Sequence, residues 1–287
     1  MKSRRVGGYA LPWLILGIAV AAVSINYLII QWIDAKATSL QDGQTSRVLA
    51  EASSRLENWY ISRPSAGEPS QFANAATVET ISRESGIDQL QPKVRLARAA
   101  RRFSANSVAY SRFLLWLPPS AVQDATGWDT TANAWAITNG AVSMEFNTLS
   151  IQMERYARSL KTTQILAKAL ENWFEWQRRS DPAGDIGTNY FRARDCVNVK
   201  TFELECLSAF TDVSTTSVAE KLGLTKPTLT DAWQRPLQLE NMPPEVGADL
   251  PPFAMRVRFV PPGSEDQING SNLNLTMPVV VTVLQRL

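Results

Sequence analysis

Two cysteines, a few closely spaced aspartates and no histidine set the limits on the chemistry open to this chain. Without imidazole there is no Ser-His-Asp or Cys-His nucleophile, no His-ligated zinc and no histidine base. Carboxylates and lysines remain. Asp124/Asp129 and Asp181/Asp185 are close acidic pairs in turn-like sequence, where solvation and capping are the commoner uses of aspartate. This pattern points away from an enzyme. Cys196 and Cys206 lie ten apart and flank a stretch that reads as a short hairpin. In an oxidising compartment they would close a disulfide worth about 2–3 kcal/mol. Two unrelated buried thiols are the competing reading.

Charge adds a second exclusion. The chain carries 29 Lys+Arg against 27 Asp+Glu over 287 residues, a net charge of +2, which does not suggest a nucleic-acid binder. The cations are nevertheless clustered. Lys93, Arg95, Arg98, Arg101 and Arg102 lie in a stretch with no acidic residue between Asp88 and Asp124. Their spacing reads as a basic amphipathic helix, either a docking face for an acidic partner or lipid headgroups, or a solvated face beside acidic neighbours.

The elements that must position these residues begin with an uncharged run of 28 residues from Val6 to Ile33. A membrane-crossing helix needs roughly 20 such residues. Lys2, Arg4 and Arg5 precede the run, so the positive-inside rule leaves the N-terminus cytoplasmic and exports the rest. A cleaved signal ending at Ala19-Val20-Ala21 is the alternative, disfavoured because the apolar run continues through Tyr27 to Ile33. From Asp34 to Ile61 apolar residues recur at helical spacing, predicting that the anchor continues outward as a long amphipathic helix. Residues 64–147 read as mostly helical. A second helical pattern runs from Thr148 to Arg178, and short strands follow, with alternation over Ala254–Val260 and a β-branched run over Met277–Leu284.

The two helical patterns resemble each other. Thr45–Ala52 parallels Thr162–Ala169, and Leu56-Glu57-Asn58-Trp59-Tyr60 parallels Leu170-Glu171-Asn172-Trp173-Phe174. Ser53, Ser54 and Arg55 are extra in the first copy. An insertion of three residues nearly completes a helical turn, so both copies keep one apolar face. Duplication and chance convergence of two amphipathic helices both remain open at this point.

Three features together resemble the type IV pilin superfamily, in particular the pseudopilins of type II secretion. A short basic leader ends at Gly7-Gly8 before Tyr9 and the apolar run. A long helix ending near Arg178 feeds a β-rich region. Thr230-Asp231-Ala232-Trp233-Gln234-Arg235-Pro236-Leu237 is similar to the Asp-Pro-Trp-Gly-x-Pro-Tyr motif of that family, with Ala232 and Gln234 in place of the first proline and the glycine. Trp13 stands where the family usually has glutamate, as in large minor members at the filament tip.

The resemblance implies cleavage after Gly8, methylation of Tyr9, and a structural motif in which Asp231 caps a turn, Trp233 plugs the sheet against the helix and Pro236 fixes the exit. It implies no cofactor beyond a calcium ion, for which Glu265, Asp266, Asn269 and Asn272 are oxygen donors. A polar surface loop is the plainer reading of those residues.

The expected fold class is α+β: a transmembrane helix (1–33) continuing into an amphipathic helix (34–63), a helical middle region (64–147), and a C-terminal helix plus small antiparallel sheet (148–287). The expected function is a non-enzymatic, membrane-anchored subunit of a type IV pilus or type II secretion assembly. It would sit in the bacterial inner membrane, partnered by that membrane and by other pilin-like subunits or secretion components. The alternative is a periplasmic scaffold unrelated to pilins that holds a partner through Lys93–Arg102.

Overall fold

The structure is a computed structural model that describes residues 43–63, 77–100, 103–106, 108–119, 123–183, 187–191, 209–216, 218–225, 229–240, 253–262, 267–268, 271–272 and 278–284. Two helix-plus-sheet modules follow one another along the chain. The first opens with helix α1 (43–62), then α2 (Val78–Glu84) and a 3₁₀ turn, Ile87–Gln89. Its sheet comprises β1 (Arg95–Arg98), β4 (Arg112–Leu117) and β7 (Val142–Asn147), antiparallel and in that order. Two hairpins interrupt the meander, β2 (Phe103–Ala105) with β3 (Val108–Tyr110) and β5 (Gly127–Asp129) with β6 (Ala134–Ala136).

The second module is built on α3 (Leu149–Ser180). After β8 (Thr211–Asp212) come a 3₁₀ turn, Val213–Thr215, and α4 (Val218–Lys221). Then β9 (Gln238–Glu240), β10 (Ala254–Phe259) and β13 (Val279–Leu284) complete a four-stranded antiparallel sheet in the order β13-β10-β9-β8. The small hairpin β11 (Gln267–Ile268) with β12 (Ser271–Asn272) falls between β10 and β13.

The modules share more than the repeated helix string. Each has a long helix, a short helical turn and then three meandering strands with a two-stranded hairpin between the second and third; the first module adds the β2–β3 hairpin and the second adds β8 ahead of its helical turn. In both, the second and third strands are six residues long and pair over their whole length, Arg112↔Asn147 to Leu117↔Val142 and Ala254↔Leu284 to Phe259↔Val279. Equivalent helix positions are buried: Leu49 with Leu166, Leu56 with Leu170, Trp59 with Trp173, Tyr60 with Phe174. One architecture is present twice.

Helix α1 presents Leu49, Ala52, Leu56, Trp59 and Tyr60 to Phe113, Leu115 and Leu117 of β4, with Ile81, Ile87 and Val94 closing that core. Tyr60 meets Phe113 edge-on at 5.6 Å between ring centroids. The helix is held to the turn after α2 by Arg55, whose Nη1 donates to the Gly86 carbonyl at 2.6 Å. Gly86 has φ of +72°, and a Cβ there would stand 3.1 Å from that guanidinium nitrogen, so both backbone and space favour glycine. In the second core, Leu166, Leu170, Trp173 and Phe174 pack on Met255, Val257 and Phe259 of β10 and on Val283 of β13. β10 alternates as a one-faced strand should, with Arg256 and Arg258 on its outer side.

These findings correct the expected fold class. The middle region is not helical: its described part holds seven strands and only one short helix. The basic helix expected over Lys93–Phe103 is not seen in its described part, where Arg95–Arg98 pairs with Trp116 to Phe113 as strand β1. Arginine spacing of that kind fits a helix locally, but cross-strand pairing with β4 decides the conformation. Residues 43–62 are helical, and their apolar face packs in the core of the first module. Among the described residues no helix is long and apolar enough to cross a membrane. The run Val6–Ile33, with Gly8 and Tyr9, lies outside the described residues.

Candidate functional site

Helix α3 outruns its own sheet, and its N-terminal half passes between the two cores. Ile151 enters the first core. On the same stretch Gln152, Arg155, Ser159 and Thr163 are all buried, a polar stripe at three- and four-residue spacing where periodicity alone expects apolar side chains. Ser159 and Thr163 bond back to the carbonyls four residues earlier at 2.8 and 2.9 Å. Arg155 Nη2 donates to the carbonyl of Tyr60, in the last turn of α1, where free carbonyls and the helix dipole favour a cation. Gln152 Oε1 accepts the indole N–H of Trp233 at 2.7 Å. The Ser159 hydroxyl accepts the backbone N–H of Ala232 at 2.9 Å. One helical face therefore ties the first module to the Asp231–Pro236 turn of the second.

That turn is held from within. Asp231 Oδ1 accepts the backbone N–H groups of Trp233 and Arg235 at 2.9 and 2.8 Å. The chain closes behind it through Asp231 N–H to the Arg235 carbonyl and Leu237 N–H to the Leu229 carbonyl, both at 2.8 Å, with a bridge between Thr230 and Pro236. Trp233, 1 % exposed, lies between α3 and the sheet, stacked on Phe259 at 6.3 Å between centroids. Gln234 takes a left-handed φ of +64°, a conformation costly for a side chain with a Cβ.

Asp231 Oδ2 is buried with no hydrogen-bond partner among the described residues. Burial pushes this carboxyl up to about 6 against the opposing pull of the Arg235 backbone N–H and guanidinium. The folded protein thus holds this proton more tightly than the unfolded chain, so stability falls as pH rises from about 4 to 6. The loss is complete above the folded value and amounts to about 2–3 kcal/mol. Asp231→Asn keeps the Oδ1 acceptor and removes the titration. Urea unfolding at pH 4, 5, 6 and 7 is expected to show this slope in the wild type and its absence in the variant.

Of the five basic residues, the structure describes Lys93, Arg95 and Arg98. Arg95 Nη1 bonds Asp124 Oδ2 at 2.7 Å, and the same oxygen accepts the Trp116 indole N–H at 2.9 Å. The Trp116 indole, with the Thr126 contacts and Arg95, holds the Asp124 carboxyl down at about 2. Arg98 lies in β1 with its own partners, and Lys93 is exposed just before that strand. Arg101 and Arg102 lie outside the described residues. Described members of the acidic pairs serve turns: Asp129 caps the β5–β6 connection through Thr131 and Ala132 N–H. Asp181 accepts from Ala183 N–H and the Tyr190 hydroxyl after α3.

Cys196, Cys206, Asp185, Glu265, Asp266 and Asn269 lie outside the described residues, as does the side chain of Asn272. Among the described residues no group of three or more His, Cys, Asp or Glu side chains is placed to hold a metal ion. The buried stripe Gln152–Arg155–Ser159 was missed in the sequence; its signal is a polar series interrupting the apolar face of a long helix. A groove of about 380 Å³ also runs between α3 and β13, lined by Gln164, Lys168, Glu171 and Val281–Leu284.

No protein-family model, curated protein or solved structure matches this chain.

Proposed function

We propose that this chain is a non-enzymatic subunit of a pilus- or secretion-type assembly, held at the inner membrane by the apolar segment Val6–Ile33, with its two helix-plus-sheet modules outside the cytoplasm. The observation that carries the reading is the Asp231–Pro236 turn. Asp231 caps it, Trp233 fills the space between helix and sheet, and Gln234, standing where the resembled pilin motif has glycine, holds the left-handed conformation that glycine supplies most readily. Further support comes from how the described side chains are used. The described carboxylates first considered for proton transfer cap turns, and the buried polar stripe locks modules together.

The mechanism is packing: the apolar segment places the subunit in the bilayer and meets its counterparts there, while the modules make the outer contacts. Leu16→Lys puts a charge in that segment, at a cost of about 2.5–3.5 kcal/mol at mid-membrane. The variant is expected to lose membrane sedimentation and the cross-linked ladder of subunits, while the circular dichroism of the modules is unchanged. A Leu16→Lys chain that still sediments with membranes and assembles normally would falsify the reading.

A further inference from the structure

A sheet protects its edges or uses them. The first sheet ends on β1, which carries Arg95 and Arg98, and on β7, where Glu145 pairs with Arg112 through Arg112 Nη2 to Glu145 Oε2 at 2.9 Å. The second sheet ends on β8, only two residues long and bearing Asp212, and on β13. β13 is different. It is six residues of Val-Val-Val-Thr-Val-Leu without a charge, and among the described residues nothing pairs with its outer side. The comparison within the chain is direct, since Thr282 occupies the place that Glu145 has in β7, the equivalent third strand. Val280 and Leu284 are 45 % and 55 % exposed on the face away from α3, while Val281 and Val283 turn towards the core.

We infer that β13 is the seam of a homodimer, in which the strands of two copies pair antiparallel about a two-fold axis at Thr282. Residues opposite one another in an antiparallel pair point to the same face, so only registers that match outer with outer positions are allowed. Centring on Thr282 sets Thr282 against its counterpart and Val280 against Leu284 on the outer face, with Val281 against Val283 on the inner. Thr–Thr and β-branched–aliphatic neighbours are favourable cross-strand pairs. Two four-stranded sheets then become one of eight.

The groove beside the strand suits a second copy for a further reason. Its rim on α3 carries Lys168 and Glu171, paired at 2.7 Å, a cation and an anion about one helical turn apart. Because the two charges offset one another, the rim carries no net charge to repel its own copy, and it offers no net attraction to a strongly acidic or basic partner strand. Being uncharged, β13 brings no repulsion of its own to the seam. The inference names the partner in the assembly reading above, and it rests on that reading for the supply of a second copy.

The test is oxidative cross-linking of the full chain in detergent, with the native cysteines left in place and the wild type as background. At the axis the paired Cα atoms stand about 5 Å apart, within disulfide reach. Two copies of residue 280 stand roughly 13 Å apart, beyond it. Thr282→Cys is therefore expected to give at least about tenfold more linked dimer than Val280→Cys. A mixture of Val280→Cys and Leu284→Cys chains should restore linkage.

Equal linkage at positions 280 and 282, or none at 282, overturns the seam. Thr282→Lys, placing like charges face to face, should abolish the dimer in sedimentation equilibrium without changing the circular dichroism; a dimer that persists also overturns it. The two readings separate cleanly. A Leu16→Lys chain that still sediments with membranes and assembles overturns the membrane reading whatever Thr282 does, and absence of Thr282→Cys linkage in a chain with the natural Leu16 that still assembles refutes the seam alone.

Discussion

Trp233→Ala is expected to lower the unfolding free energy by about 3–5 kcal/mol, the range for deleting a large buried aromatic. The residue is 1 % exposed, and its indole touches two elements, α3 through Gln152 and the sheet through Phe259. Truncation opens a cavity that neither helix nor sheet can fill without moving. It also strands Gln152, whose Nε2 already lacks a partner among the described residues and whose Oε1 would lose the indole N–H.

Trp233→Phe separates these contributions. It keeps an aromatic ring in the site and removes the N–H with the second ring of the indole, so a loss of at least about 1–3 kcal/mol, the cost of a buried acceptor left unpaired, is expected. Urea unfolding of both variants decides the matter. Equal losses in the two would mean that the hydrogen bond outweighs the packing, and a loss below about 1 kcal/mol in the alanine variant would deny Trp233 its place in the core.

Arg155→Ala is expected to break the cooperation between modules as well as lower stability. Its guanidinium is the buried group that reaches the Tyr60 carbonyl, and Tyr60 is fully buried at the centre of the first core. A hydrogen bond to a charged group contributes about 1.5–3 kcal/mol. Relief from burying the cation offsets part of it. The more telling result is the shape of the transition. With the tie cut, the first module should unfold ahead of the second, giving two phases by tryptophan fluorescence where the wild type gives one. Arg158→Ala is the control one turn away. It removes an exposed i,i+4 pair with Glu154, worth about 0.3–0.5 kcal/mol, and should leave a single transition. If the Arg155→Ala transition also stays single and shifts no further than that of the control, Arg155 does not couple the modules.

How far the residues announce this architecture differs from element to element. Helix α3 is legible because thirty-two residues of apolar periodicity end at an Asp-Pro pair. Strands β10 and β13 are legible because alternation and β-branching are local properties. The repeat Leu-Glu-Asn-Trp-aromatic is legible too, and the matching strand order gives it structural content. Strand β4 is not. Arg112-Phe-Leu-Leu-Trp-Leu is a continuous apolar run, buried on both faces, and such a run fits a buried helix as well as a central strand. β1 is harder still, since Arg95 and Arg98 are spaced for one helix face. At the turn, the Asp231 and Trp233 residue types suggest a cap and a plug; the partner Gln152, eighty-one residues away, does not show in any window of sequence.

The sequence by itself therefore determined what depends on near neighbours: the apolar faces of the two long helices, their repetition, the alternating strands, and the absence of imidazole chemistry. The tertiary structure decided the rest. It made Arg95–Arg98 and Arg112–Leu117 neighbouring strands because hydrogen bonds between β1 and β4 outweigh the local spacing of arginines. It buried Gln152, Arg155 and Ser159 because the N-terminal half of α3 had to pass between two cores and tie both. And it left β13 as the one long edge without a charge among the described residues, a property of strand order that the linear chain does not carry.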